Sequence, residues 1–117
     1  MQNNFIGYTI IDKIINDIQE DRVNVTEAFF DNYPLSDNQV KKLSDALERN
    51  NNLSYLNLYN CRLSNKNLEM ILNALKINTG VKTIIINRGI GQELYDEFMN
   101  SVAKNNSNLK PWFFTNA

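Results

Sequence analysis

Between Leu53 and Leu63 the chain reads LSYLNLYNCRL, with apolar residues at Leu53, Leu56, Leu58, Cys61 and Leu63. The middle of this run alternates with a period of two, which is the mark of a strand with one buried face. The same spacing recurs 28 residues upstream, at Val25, Ala28, Phe30, Tyr33 and Leu35, and 28 residues downstream, at Val81, Ile84 and Ile86. A fixed period of this size constrains the fold more than composition can. Each unit is one supersecondary element that cannot close a core alone, and units stacked at a constant interval close one together.

The segments between these strands have helical spacing. Val40, Leu43, Ala46 and Leu47 share one face, as do Leu68, Ile71, Leu72 and Leu75. Ser36 with Gln39 reads as a capping box, and Ser64 stands in the equivalent cap position. The helices stop near Asn50-Asn51-Asn52 and Asn78-Thr79-Gly80, where left-handed backbone is expected at asparagine and at Gly80. The third unit departs from the pattern. Gly89 and Gly91 take positions held elsewhere by Cys61 and Leu63, and Leu94, Phe98 and Val102 come one residue early. The Asn105 to Asn108 segment is expected to restore the register, so that Leu109, Trp112 and Phe114 repeat the strand a fourth time. Ahead of the repeats, Ile11, Ile14, Ile15 and Ile18 predict a helix over 8–20 that covers the open end of the core.

Strands joined by helices run parallel. The expected architecture is an α/β solenoid, a short right-handed β-α horseshoe segment with a parallel sheet on the concave face and helices on the convex face. Strands are expected near 25–30, 53–58, 81–86 and 109–114, and helices near 8–20, 37–49, 65–77 and 92–104. All 117 residues form one domain. It divides into an N-terminal capping helix (1–24), repeats at 25–52, 53–80 and 81–108, and a capping strand at 109–117. The competing fold is a doubly wound sheet, whose strands are covered on both faces and read as continuous apolar runs. Tyr55 and Asn57 interrupt the leucines of the second strand, which leaves one face to solvent.

The phrase from Leu53 to Leu63 matches the leucine-rich-repeat signature, and the 28-residue unit with a full helix resembles the ribonuclease-inhibitor class of that family. Ala74 to Ile90, ALKINTGVKTIIINRGI, is similar in style to the C-terminal repeat domains of tropomodulins and leiomodins and to repeats of NOD-like receptors. The resemblance spans Val25 to Phe114 and implies protein binding through the concave strands or their adjoining loops. No actin-contacting motif carries across residue by residue, so actin enters only as a weak candidate partner.

Chemistry has little to work with here. The chain contains no histidine, which removes the commonest general base and metal ligand. Cys61 is the sole cysteine, so no internal disulfide forms, and its slot in the repeat points inward. Asn87-Arg88-Gly89-Ile90-Gly91 lacks the third glycine and the Lys-Ser/Thr pair of a phosphate loop. The reading is therefore a non-enzyme without cofactor or metal. Net charge is −1, which supplies no bulk field for nucleic acid, and no apolar run approaches a membrane span. The charge is uneven along the chain: up to Glu48 four bases face nine acids, and from Arg49 on eight bases face four acids. Without a signal peptide in view, a cytoplasmic location is expected.

What remains is surface. If the core takes the first, fourth and sixth positions of each strand, the concave side takes the third, fifth and seventh. These are Glu27, Phe29 and Asp31; Tyr55, Asn57 and Tyr59; and Thr83, Ile85 and Asn87, with Phe113 extending the row. Aromatic residues at exposed positions are frequent interface anchors. The function expected from the sequence is a protein-interaction scaffold, monomeric or weakly dimeric, that binds its partner through this row. The alternative is a self-assembling structural repeat protein or a fragment of a longer array.

Overall fold

The computed structural model describes residues 9–87, 92–97, 100 and 110–114. Its elements follow one another as α1 (Ile10–Gln19), β1 (Glu27–Phe29), α2 (Asp37–Arg49), β2 (Tyr55–Asn57), α3 (Asn65–Ile77), β3 (Thr83–Asn87), α4 (Gln92–Glu97) and β4 (Lys110–Phe114). The four strands form one parallel sheet in chain order, β1-β2-β3-β4. The helices α2, α3 and α4 each lie between one strand and its neighbour, which is the repeat architecture that the 28-residue period predicts. The last part of the helix expected near 92–104 lies outside the described residues.

The register carries the repeat. Glu27 stands opposite Tyr55, and Tyr55 opposite Thr83, a step of 28 residues each time. The fourth strand does not keep that step. Ile84 faces Pro111, Ile85 faces Trp112 and Ile86 faces Phe113, a step of 27. The expectation that Asn105 to Asn108 restores the register is therefore wrong. The residue lost after β3, already visible in the early helical stripe, is not given back before β4. A slip of one residue exchanges the two sides of a strand. Phe113 accordingly takes the register position of Ile86, not that of the open row, and Trp112 takes the place beside Ile85. As expected, β4 is an edge strand, the setting in which Pro111 is tolerated.

The core lies between the sheet and the helices. Ala28, Leu56 and Ile84 form one buried row across the sheet, and Phe30, Leu58 and Ile86 a second. Val40, Leu43 and Leu47 of α2 and Leu68, Ile71, Leu72 and Leu75 of α3 close over them, and Ile11, Ile15 and Ile18 of α1 extend the same cluster. Two first-repeat positions differ from expectation. Tyr33 is 46% exposed although Cys61, its counterpart, is buried. The Cys61 thiol fits because it donates to the Phe30 carbonyl of the preceding repeat at 3.0 Å. No repeat precedes Tyr33 among the described residues, so its slot has no such wall. Val25 is only half-buried for the same reason.

The helix ends also depart from the reading above. Asn50 and Asn78 are extended (φ −79° and −76°), and no glycine among the described residues takes positive φ, so Gly80 does not use that freedom. Left-handed backbone appears instead at Asn32 and Asn60, one repeat apart in the strand-to-helix loops, and at Asp21 and Arg62. The side chains of Asn50 and Asn78 do the work at the helix ends. The Asn78 amide donates to the carbonyls of Leu47 and Asn50 at 2.8 and 2.9 Å, and its oxygen accepts from the N–H groups of Gly80 and Val81. Asn50 repeats this one unit earlier, donating to the Ile18 carbonyl and accepting from the N–H groups of Asn52 and Leu53. Asn78 stitches the second repeat to the first, and Asn50 stitches the first repeat to α1.

Candidate functional site

The sheet face turned away from the helices is set by strand geometry. Neighbouring strands lie about 4.8 Å apart, so residues in register stand side by side on one surface. Glu27, Tyr55 and Thr83 make one row across β1, β2 and β3, and Phe29, Asn57 and Ile85 a second. Between them on each strand stand the buried residues Ala28, Leu56 and Ile84. The alternation leaves Tyr55, Asn57, Thr83 and Ile85 half-buried and Glu27 and Phe29 exposed.

Phe29 is 48% exposed, and its ring meets that of Tyr55 across β1 and β2 with centroids 5.3 Å apart and planes tilted by 43°. This tilted contact suits the aromatic quadrupoles and holds both rings in place. Asp31 and Tyr59 follow the strands as half-buried residues. The Asn57 side-chain oxygen accepts the Tyr59 N–H at 3.0 Å, which fixes the turn out of β2. The Tyr59 carbonyl in turn accepts the Asn32 N–H, and Asn60 donates its amide to the Asn32 side chain at 3.0 Å. The rim of the surface is thus a hydrogen-bonded ladder of loops. Asn87 closes β3 in backbone register with Phe114. The structure therefore brings together Glu27, Phe29, Tyr55, Asn57, Thr83 and Ile85, with Asp31 and Tyr59 at one end, and moves Phe113 out of register with them.

Cys61 has no part in this surface. Its thiol is buried against the Phe30 carbonyl, and desolvation pushes its pKa up to about 12. A thiol held neutral in this way is a poor nucleophile. Among the described residues no group of three or more His, Cys, Asp or Glu side chains could hold a metal ion, and no helix is long and apolar enough to cross a membrane.

The asparagine stitches are the feature that sequence reasoning missed. Asn50 and Asn78 stand one repeat apart, which is the signal that could have found them. Reading the helix end for backbone conformation alone hid the role of the side chain.

No protein-family profile matches the sequence, and neither does any curated protein. Solved structures do match. The C-terminal domain of tropomodulin from Caenorhabditis elegans superposes with a TM-score of 0.74 at 14% identity, over 89% of this chain and 63% of that one. Actin-binding site 2 of leiomodin-1 superposes with a TM-score of 0.69 at 18% identity, over 92% of this chain and 63% of that one. This chain thus spans less than two thirds of the length of either. What the two likenesses show is its fold: a leucine-rich-repeat-like α/β solenoid of the kind seen in the tropomodulin and leiomodin domains.

Proposed function

We propose that the chain is a non-catalytic protein-interaction module that binds its partner through the open face of the sheet. One observation carries this reading: Phe29 and Tyr55 are packed ring to ring on a face that none of the described helices covers. Rigid aromatic pairs with apolar and polar neighbours are the usual anchors of interfaces, because they bring contact area at small entropic cost. The partner row is Glu27, Phe29, Asp31, Tyr55, Asn57, Tyr59, Thr83, Ile85 and Asn87. On this reading the repeats at 25–52 and 53–80 present the centre of the surface. One structural neighbour is actin-binding site 2 of leiomodin-1, which makes actin the first partner to test.

The test is direct binding of labelled actin to the wild-type chain and to Tyr55→Ala with Tyr59→Ala. The wild type should bind. The double variant should keep its fold and lose about 30-fold in affinity, equivalent to ~2 kcal/mol. Equal binding by both proteins would sink the open-face reading. No binding by the wild type at concentrations up to about 100 µM, weaker than the micromolar range of a specific complex, would remove actin.

A further inference from the structure

The sheet ends at β1, and one side of that strand has no partner among the described residues. Parallel pairing uses alternate residues. The Thr26 carbonyl accepts the Tyr55 N–H and the Phe30 N–H donates to the Asn57 carbonyl, so the even-numbered residues bond to β2. The N–H and C=O groups of Glu27 and Phe29 therefore point away from the sheet. Beside this edge runs an open cleft of about 340 Å³. Its walls are Ile14 and Asp17 of α1 and the residues from Asn24 to Phe29. Its apolar lining residues include half-buried Ile14 and Val25.

The segment that carries the cleft is acidic in balance, and of the two acids lining the cleft, Asp17 is already paired while Glu27 is not. Residues 10–31 hold six acids (Asp12, Asp17, Glu20, Asp21, Glu27, Asp31) against two bases, Lys13 and Arg22, a net charge of −4. Both bases are already engaged: Lys13 pairs with Asp17 at 3.1 Å, and Arg22 pairs with Glu20 and, at 3.7 Å, with Asp17. Glu27 stands exposed at the lip of the cleft with no cation paired to it among the described residues.

We infer that the β1 edge is a docking site for an extended, basic peptide segment of another protein, which adds to the sheet as a fifth strand. Main-chain hydrogen bonds to Glu27 and Phe29 supply the register, as in other edge additions. Because strand side chains alternate, an apolar residue of the peptide enters the cleft against Ile14 while a Lys or Arg neighbour faces Glu27, and the net −4 of the segment favours the basic peptide at longer range. An acidic peptide offers the same backbone but meets like charge. This surface shares Glu27 and Phe29 with the open face but uses their outward main-chain groups and the cleft wall at Ile14, so it does not depend on Tyr55 or Tyr59.

The probe is an acetylated, amidated Lys-Val-Lys-Val-Lys-Val peptide, with the Glu-Val counterpart as control, titrated at low salt into ¹⁵N-labelled protein. The basic peptide should shift the Glu27 and Phe29 amides and slow their hydrogen exchange at least fivefold, and should bind at least tenfold more tightly than the acidic one. Ile14→Lys, which changes the cleft but no backbone group, should keep the β2 and β3 amide spectrum and lose at least tenfold in affinity. Tyr55→Ala with Tyr59→Ala should bind the basic peptide as wild type does, which separates this site from the open face. The inference is overturned if the Glu27 and Phe29 amides stay unprotected at millimolar peptide, if both peptides bind alike, or if Ile14→Lys binds like wild type.

Discussion

Three buried side chains show how unequal the polar groups of this core are. Asn78 is 4% exposed and satisfies four backbone groups at once. Asn78→Ala leaves two buried carbonyls and two N–H groups without their partner, so it should cost about 3 kcal/mol or more, read from urea melts. Ser44, 4% exposed in α2, is the opposite case: its hydroxyl finds no hydrogen-bond partner among the described residues. Removing an unsatisfied group relieves its desolvation penalty. Ser44→Ala should therefore leave stability unchanged or raise it by up to about 1 kcal/mol; a loss above that would mean that the hydroxyl is bonded. Cys61 links stability to alkaline pH. Its thiol pKa rises from 9.0 to about 12 because burial disfavours the thiolate. The folded chain keeps a proton that the unfolded chain releases, so the contribution is full below about pH 9 and fades as pH climbs toward about 12. Between pH 9 and 10.5, wild type should lose stability more steeply than Cys61→Ala, whose unfolding has no such proton to release.

The elements were largely written in local sequence. The Ser36 capping box forms as its residues predict: the Gln39 N–H donates to the Ser36 hydroxyl at 3.1 Å, and the Gln39 side chain accepts the Ser36 N–H at 3.0 Å. Ser36→Ala should cost about 1 kcal/mol in thermal or chemical melts, the ordinary value of an N-cap. Thr9 and Asp12 form a second box that starts α1 at Ile10, two residues later than the expected start at residue 8. Ser64 caps α3 alone, because Asn67 turns its amide to the Asp37 carboxylate at 2.8 Å and so bridges α3 to α2. Strand and helix identities were legible because period two and period 3.6 are local signals. The open row from Glu27 to Ile85 was legible for the same reason, since alternation assigns a face once the core is known. The β4 register was not legible. It depends on how many residues the stretch between β3 and β4 consumes, a tertiary quantity that no local period records. The exposure of Tyr33 has a related reason: its pattern matches, but no preceding repeat among the described residues makes the slot.

At the scale of the whole molecule, α1 is joined to the repeats by side chains as well as by its isoleucines. Asn50 donates to the Ile18 carbonyl, and the Gln39 amide reaches Asp12 at 3.4 Å. Asp21, in left-handed backbone just after α1, accepts from the Asn51 N–H at 2.8 Å and from the Asn52 amide at 2.9 Å. Two of these attachments are carboxylates whose pKa values are lowered. The Asn51 N–H is the first cause for Asp21, and the backbone of Thr9 for Asp12. A lowered carboxylate binds its proton less readily folded than unfolded. Its contribution is therefore complete above the unfolded pKa, near 4, and is lost as pH falls through the lower folded value. The expected outcome is a melting temperature that is level between pH 7 and 5 and falls below pH 4. Asp12→Asn with Asp21→Asn mimics the protonated state at every pH. That variant should start lower at pH 7 and show a shallower acid slope than wild type. Amide exchange should place the first losses in α1, at Ile11, Ile15 and Ile18, while β2 and α3 keep their protection, because the lost bonds lie at the α1 junction. Parallel pH profiles for the two proteins would show that these carboxylates do not hold the N-terminal helix to the solenoid.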